Sequence, residues 1–217
     1  ISILESVLND IKLNIDDPFI VLKSTVLPDN ISLLNDFNDF VYNPEFLREK
    51  SANEDFINSS LILFGGNKES CNKLAKFYSG FTKCISQDYL YTDIEAASLI
   101  KFSINSFLAT KVIFFNQLNE IFMKSGTKES WQKFISIIDK DNRIGSSHMD
   151  VPGHDKRKGY GGACFPKDTH AFNEYSKKIN KGFTLLDTVI KINNQIRSQY
   201  KNLTDREKEQ LIFFDEE

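Results

Sequence analysis

The chain has 217 residues, of which 41% are hydrophobic and 26% are charged, a composition that indicates a soluble globular protein with one large domain or two small ones. The net charge of -3 and the lack of a basic stripe predict no nucleic-acid partner. No apolar run approaches the roughly 18 residues that a transmembrane helix requires, so we expect no membrane span.

The three cysteines are Cys71, Cys84 and Cys164. An odd number without metal-type spacing argues against a disulfide framework and favours a reducing cytosol as the location. The chain begins at Ile1 rather than Met, which suggests that the N-terminus is a cut.

The first part of the chain alternates between helical and strand patterns. Apolar spacing predicts helices at 1–13 and 68–79, and buried strands at 19–22, 40–42 and 61–64. Continuous apolar strands that alternate with helices are typical of a parallel sheet, so the fold class is α/β. No Gly-x-Gly-x-x-Gly follows any strand, and the sequence therefore predicts only the latter half of a Rossmann-type domain.

The second part of the chain is predicted to be all helical. Residues 91–124 form the longest helical stretch, whose broad apolar face is able to bury against a partner. Further helices are predicted at 131–138, 170–178 and 183–201. We therefore expect a partial dinucleotide-binding domain at 1–88, a helical domain at 89–203 and a charged tail at 204–217.

The segment Gly159–Thr169, with the sequence Gly-Tyr-Gly-Gly-Ala-Cys-Phe-Pro-Lys-Asp-Thr, concentrates chemically useful residues around Cys164. Its glycines permit tightly turning backbone, and Lys167 and Asp168 supply opposite charges. A glycine-rich turn with a buried, inert cysteine is the alternative. The run resembles the active-site cysteine segment of the nucleotide-sugar dehydrogenases, the UDP-glucose and GDP-mannose 6-dehydrogenase family.

Other motifs resemble this family in the same order along the chain. They are Ser-Thr-Val-Leu-Pro at 24–28, Asn-Pro-Glu-Phe-Leu at 43–47, Lys101 and Asn105 after Glu95, Arg-Ile-Gly at 143–145, and Val-x3-Asn at 189–193. Taken singly, these residues could be helix caps or solvated polar pairs. Lys50 stands where the family carries glycine. The order of the motifs is more specific than any one of them.

The resemblance implies an NAD-dependent enzyme that oxidises the C6 alcohol of a nucleotide sugar to a carboxylate. Cys164 would add to the aldehyde intermediate, so that a thiohemiacetal and then a thioester form on its sulfur. UDP-glucose to UDP-glucuronate is the expected conversion, although the sequence leaves GDP-mannose and N-acetylated UDP-sugars open.

The resemblance also implies roles for individual residues and a homodimer built on the long central helix. It assigns catalysis to Cys164, Lys101, Asn105, Asp168, Glu45 and Thr25. It assigns cofactor contacts to Ser24, Thr25, Glu49 and Lys167. It assigns substrate contacts to Phe46, Leu47, Lys101, Asn105, Arg143, Tyr160 and Gly161, with Arg143 reaching into the neighbouring subunit.

The segment 146–158, which precedes the cysteine run, contains two histidines. His148 and His154, with Asp155, could suggest a metal site, but no third ligand at zinc spacing is evident. We therefore expect polar loop residues and no metal.

Two other classes of protein remain open at this point. The chain could be a non-catalytic dimerisation fragment, since only half of the cofactor domain is evident. It could also belong with the hydroxyacid and phosphogluconate dehydrogenases, which have a similar long helix and do not need Cys164.

Overall fold

A computed structural model of the chain describes residues 2–48, 51–209, 212 and 214. The chain forms two compact units, Ile1–Lys101 and Phe102–Glu217. The division falls within one long helix, Ile94–Lys124.

The first unit alternates helices and strands, as the sequence predicts. Its elements are helix α1 (Ser2–Asn14), strand β1 (Phe19–Leu22), a 3-10 helix (Pro28–Leu34), strand β2 (Asp39–Tyr42), helix α2 (Ala52–Ile57), strand β3 (Ile62–Gly65), helix α3 (Lys68–Phe81), strand β4 (Tyr89–Thr92) and the start of helix α4 (Ile94–Lys124). The predicted strand 19–22 agrees with β1 at both ends.

The four strands form one sheet in the order β1-β2-β3-β4. Strands β1 and β2 are parallel, as are β3 and β4, but β2 and β3 are antiparallel and pair at Tyr42 and Gly65. The prediction of a parallel sheet is therefore corrected to a mixed sheet. Among its described residues, 43–48 and 51–61, the link from β2 to β3 has one α-helix, the six-residue α2, whereas a parallel return usually contains a full crossover helix.

Both faces of the sheet are covered at strands β1, β2 and β3, which explains why these strands are largely apolar, whereas Leu90 and Tyr91 of β4 are exposed. Ile20, Leu22 and Leu63 lie in one core cluster with Leu8 of α1. The second cluster lies on the other face of the sheet, because alternate residues of a strand point to opposite faces. It contains strand residues and residues of helix α3: Val41, Ile62, Phe64, Cys71, Leu74 and Tyr78. Helices on both faces of a sheet are the expected α/β layering.

Strand β4 is an element that the sequence prediction missed. Residues from Tyr91 onward were predicted as helix, but Tyr91 belongs to β4 and helix α4 begins at Ile94. The Oδ1 atom of Asp93 accepts the N–H of Ala96 at 2.7 Å and so caps the start of the helix. The helical spacing of apolar residues extended by chance across this boundary.

The second unit is helical throughout its regular structure. It contains the rest of α4, helix α5 (Trp131–Ile138), helix α6 (Phe165–Lys178), helix α7 (Thr184–Arg197) and helix α8 (Asp205–Glu209). Helix α6 begins earlier than the predicted 170–178, because Pro166 suits a first turn that needs no N–H donor. Helix α8 lies within the segment predicted as a charged tail.

Helix α4 has two different faces in the second unit. Ala109, Ile113, Phe115 and Phe122 are buried, whereas Phe107, Phe114 and Ile121 are 66%, 60% and 66% exposed. Of the helices in the described ranges, α4 alone is long and apolar enough to cross a membrane, with half of its most apolar window buried. The core helix of a soluble protein meets the same criteria, so this is weak evidence for a span.

Candidate active site

In the first unit, the structure brings the predicted residues Glu45, Phe46 and Lys101 together. The ammonium of Lys101 donates to the main-chain carbonyl of Glu45 at 2.6 Å and lies 5.2 Å from the centre of the Phe46 ring. Lys101 is 8% exposed, so its charge is largely withdrawn from water. This ammonium is fixed at the start of the 44–47 loop.

The Glu45 side chain is oriented by Lys23, a residue that the sequence reading missed. The two side chains form an ion pair at 3.1 Å. Lys23 also donates to Asn43 Oδ1 at 3.1 Å and to the Tyr78 hydroxyl at 3.2 Å, and the Tyr78 hydroxyl donates to Asn43 Oδ1 at 2.5 Å. These side chains form one hydrogen-bonded group at the carboxyl ends of the strands.

Asn43 ties this group to the sheet. Its N–H donates to Leu22 O at 2.8 Å and its side-chain amide donates to Leu63 O at 3.0 Å. One buried asparagine therefore bridges β1 and β3 immediately before Glu45. The Asn-Pro-Glu sequence was the available signal, since an asparagine at a strand end often bonds local backbone.

The remaining predicted residues of the first unit lie at the same strand ends or on the loop that follows. Ser24 is exposed, while Thr25, Phe46 and Leu47 are partly buried. Glu49 lies outside the described residues, as does Lys50. The turn at 24–26 is fixed by Ser98, whose hydroxyl donates to Val26 O at 2.6 Å.

In the second unit, Cys164 is exposed and occupies the N-cap position of helix α6. The N–H of Asp168 donates to the Cys164 carbonyl at 2.9 Å, which closes the first helical turn. The N-terminus of a helix carries partial positive charge that favours an anion nearby. The alternative of a buried cysteine in a glycine turn is wrong, because the Cys164 side chain is exposed.

Asp168 is held by two of the other predicted residues. The Asn105 amide donates to Asp168 Oδ2 at 2.6 Å, and the Lys167 ammonium contacts Asp168 Oδ1. Asn105 and Asp168 are 6% and 1% exposed, respectively. A buried carboxylate with a donor on each oxygen has a fixed orientation, one turn of helix after Cys164.

The glycine run before Cys164 is bound to helices α4 and α7. The N–H of Gly159 donates to Asn116 Oδ1 at 3.0 Å, and the N–H of Tyr160 donates to Asn193 Oδ1 at 2.7 Å. Gly159 has a φ of +73°, which favours glycine. The Val-x3-Asn signature thus supplies Asn193, whose function in holding the loop could not be read from its spacing.

The Tyr160 side chain lies in the core of the second unit. It is 4% exposed, and its hydroxyl is 3.5 Å from the hydroxyl of Thr169. Burial raises the pKa of Tyr160 to about 12, because the charged phenolate is disfavoured away from water. Because the side chain is buried, only main-chain atoms of Tyr160 are candidates for a contact with substrate.

Arg143 lies on an exposed loop, where its guanidinium pairs with Asp141 at 2.5–3.2 Å. The neighbouring Asp141 raises the pKa of Arg143, and Arg143 in turn lowers the pKa of Asp141. The loop is anchored by Lys111, which the sequence reading missed. This buried ammonium donates to Ile144 O at 3.1 Å and to Gly145 O at 2.8 Å, while desolvation lowers its pKa.

Over the described ranges, no group of three or more His, Cys, Asp or Glu side chains is arranged to hold a metal ion. Asp155 instead pairs with Arg197, whose Nη1 donates to its Oδ2 at 2.7 Å. The ring of His148 packs 5.5 Å from the ring of Phe165.

The first unit fits part of a dinucleotide site. Ligands of open α/β sheets bind beyond the carboxyl ends of the strands, where Ser24, Thr25 and the Asn43 group provide hydroxyl, amide and ammonium groups. The sequence contains no Gly-x-Gly-x-x-Gly, so the residues present provide polar groups for a dinucleotide but not the glycine-rich loop that would hold its pyrophosphate.

The chain thus combines an α/β unit with a helical unit that carries an exposed cysteine at a helix N-terminus. Family models identify the protein family to which the chain belongs. Residues 1–82 match the NAD binding domain of the UDP-glucose/GDP-mannose dehydrogenase family, and residues 95–195 match its central domain. The chain belongs to this family, which confirms the family and the α/β fold class predicted from the sequence.

Known relatives agree with this placement. The chain is 37% identical to a UDP-glucose 6-dehydrogenase of Rickettsia felis over 88% of its own length and 42% of that protein. It is 38% identical to UDP-glucose 6-dehydrogenase YwqF of Bacillus subtilis over 70% of its own length and 32% of that protein. The chain thus spans less than half the length of these relatives.

A solved structure with a similar fold is a UDP-glucose dehydrogenase from Pyrobaculum islandicum. It superposes with a TM-score of 0.68 at 29% identity, over 81% of this chain and 41% of that one.

Proposed function

We propose that this chain carries catalytic residues of an NAD-dependent nucleotide-sugar 6-dehydrogenase, with UDP-glucose as the substrate and UDP-glucuronate as the product. Support comes from the family membership and from the names of the similar proteins. A hydroxyacid dehydrogenase without a cysteine nucleophile is not favoured, since the chain matches both family models.

The observation that carries the proposal is the arrangement of Cys164 and Asp168. An exposed thiol lies at a helix N-terminus, and one turn later a buried carboxylate is held by Asn105 and Lys167. A nucleophile followed by an oriented carboxylate suits formation and hydrolysis of a covalent intermediate.

The proposed chemistry takes place on the Cys164 sulfur. A bound NAD+ would accept a hydride from the sugar C6 in each of two oxidations, and the C6 hydroxyl proton would pass to water in the first of them. Between them the Cys164 thiolate adds to the C6 aldehyde, forming a C–S bond and placing negative charge on the aldehyde oxygen. After the second oxidation water would attack the thioester and lose its two protons, one of them through Asp168, while the C–S bond breaks; the Cys164 thiolate is regenerated and the sugar carboxylate is released.

Polar residues near the reacting carbon would stabilise the developing negative charge and accept protons. Lys101 and Asn105 would donate to the oxygen that becomes negative, an effect of about 3 kcal/mol per donor in other enzymes. Asp168 would accept a proton from the attacking water, with Glu45 or a water held by Thr25 assisting. The fixed orientations of Glu45 and Asp168 suit both roles.

The other predicted residues would bind the two ligands. Ser24, Thr25, Glu49 and Lys167 are proposed to contact the cofactor. Phe46, Leu47, Arg143, the Tyr160 main chain and Gly161 are proposed to contact the nucleotide sugar. If Arg143 acts on the neighbouring subunit, its guanidinium would leave the Asp141 carboxylate and bind the substrate. Since the three cysteines are free, we place the enzyme in a reducing compartment such as the cytosol.

A turnover assay tests the proposed function. The polypeptide that contains this chain is incubated with UDP-glucose and NAD+, while NADH absorbance and the sugar product are both measured. We expect two NADH for each UDP-glucuronate, because the aldehyde remains bound until it is oxidised again. No NADH with any nucleotide sugar, under conditions where the protein is folded, would instead favour the non-catalytic dimerisation fragment.

The exposed stripe of helix α4 provides a test of the proposed homodimer. Phe107, Phe114 and Ile121 recur every seven residues and stay exposed, as expected of a helix that packs against a second copy. Phe114→Asp is expected to shift the protein from dimer to monomer, with at least about a 100-fold weaker dimer, because a buried unpaired carboxylate is costly. Light scattering at several concentrations measures this.

The matched control for this change is Phe81→Asp. Phe81 is 80% exposed on helix α3, so the same substitution there should leave the dimer intact. An unchanged dimer in Phe114→Asp would contradict the placement of the interface on this stripe.

A further inference from the structure

Arg197, in the last turn of helix α7, is fully buried between two carboxylates. Its Nη1 donates to Asp155 Oδ2 at 2.7 Å, and its Nη2 donates to Glu207 Oε1. Neither Arg197 nor Glu207 has an exposed side-chain surface, and within the described chain no acceptor pairs with Arg197 Nε. A buried guanidinium must have its charge compensated; Asp155 and Glu207 both contact Arg197, and Arg157 lies 3.9 Å from Glu207 Oε2 beside the second carboxylate.

Glu207 is itself fixed by the turn that begins helix α8. Its Oε2 accepts the N–H of Thr204 at 2.7 Å, and its own N–H donates to the Thr204 hydroxyl at 3.3 Å. This reciprocal pair is a capping box, for which Thr-x-x-Glu is the sequence signal. One carboxylate oxygen therefore serves the helix cap, and the other is directed at Arg197.

The glycine run that leads to Cys164 lies directly against this ion pair. A Cβ added at Gly161 would collide with the Glu207 carboxylate and the Arg197 guanidinium. A Cβ at Gly159 would lie 2.7 Å from Asn193 Oδ1 and 3.3 Å from Arg197 Cδ. The backbone at 159–161 thus has contacts with the ion pair and with helix α7 that a side chain would prevent.

From these contacts we infer that Arg197 and Glu207 are positioning residues for Cys164, and that the segment 204–209 supports the active-site loop. The ion pair acts through the main chain at Gly161, three residues before the thiol. The inference rests on the proposed function only where turnover is measured, because loop order can be measured without a substrate.

The test compares Glu207→Gln with Glu209→Gln. The first keeps the side-chain size and removes the buried charge, while the second makes the same change at a carboxylate that is 55% exposed and pairs with Arg206. Hydrogen exchange is followed at the amides of residues 158–160, which donate to Tyr200, Asn116 and Asn193. We expect exchange to accelerate at least about tenfold in Glu207→Gln only, since Arg197 would lose the charged partner that lies against Gly161 and should move toward Asp155.

Turnover gives the second measurement. In the polypeptide that contains this chain, Glu207→Gln is expected to lower kcat about tenfold and to change the KM for UDP-glucose less than about twofold, because a displaced thiol affects chemistry more than binding. A purely structural weakening would lower apparent kcat only by the factor by which the folded fraction falls, so kcat is divided by the folded fraction measured by circular dichroism in the same sample. If Glu207→Gln does not fold, Thr204→Ala, which removes the cap and keeps the charge, is compared in the same way.

The outcomes separate the inference from the proposed function. Unchanged exchange at residues 158–160 would overturn the inference, and so would equal acceleration at the amides of helix α5, which marks general destabilisation. Selective acceleration in a protein whose unmodified form oxidises no nucleotide sugar would support loop positioning and refute the dehydrogenase proposal.

Discussion

Cys164→Ser is expected to lower formation of the sugar acid by at least about 10³-fold in the polypeptide that contains this chain. A serine hydroxyl is a much weaker nucleophile than a thiolate near neutral pH and cannot replace it in the thioester. Because Cys164 is exposed and its side chain makes no cap hydrogen bond, the substitution should leave the melting temperature nearly unchanged. Product chromatography and thermal unfolding measure the two effects.

The other two cysteines provide the control for this prediction. Cys71 is buried and Cys84 is partly buried, with its thiol 3.2 Å from Phe56 O. Cys84→Ser should therefore keep full turnover, and iodoacetamide should modify Cys164 first, with activity lost in step. Normal turnover after complete and selective alkylation of Cys164 would rule out the nucleophile assignment.

The sequence was sufficient to predict helices and strands whose spacing of apolar residues matches the faces that they bury in the fold. Strand β1 and helix α5 agree with the prediction at both ends, because each is a short apolar segment between clear boundary residues. Strand β4 was missed because Tyr91 lies three residues before Ile94 and so continues the apolar spacing of α4. The antiparallel direction of β2 and β3 depends on a single pair, Tyr42 and Gly65, and no local pattern encodes it.

The candidate site shows a similar division between what motifs can and cannot predict. Motifs identified Asn105 and Asp168, but their contact joins two helices that are distant in sequence. The supporting cations Lys23, Lys111 and Arg197 were missed, since a sequence does not distinguish a partly or fully buried lysine or arginine from a solvated one, and solvated ones are far more common. Glu207 was assigned to a charged tail for the same reason, although its Thr-x-x-Glu context was available.

Lys101 combines burial, a fixed position and a positive charge. Its ammonium donates to Glu45 O at 2.6 Å and its side chain is mostly enclosed. In such surroundings a donor is not displaced by water and needs little reorganisation when charge develops nearby. A structural function is the competing explanation, because the same contact orders the 44–47 loop.

Lys101→Met is expected to lower kcat by about 10²- to 10³-fold, the range found when one donor to a developing oxyanion is removed. Methionine keeps the length and the apolar stem of lysine, so contact with Phe46 should persist and the thermal unfolding temperature should fall only slightly. Lys124→Met, at the exposed end of the same helix, is the control and should retain full turnover.

Two comparisons separate the catalytic explanation from the structural one. Lys101→Arg keeps a charged donor and should recover part of the lost kcat, whereas a residue that only orders the loop would mainly raise the KM for UDP-glucose. If Lys101→Met turned over within about threefold of the unmodified protein, Lys101 would be a loop anchor. The negative charge on the substrate oxygen would then have to be stabilised by Asn105, whose amide is already engaged by Asp168 and would have to be shared between the two.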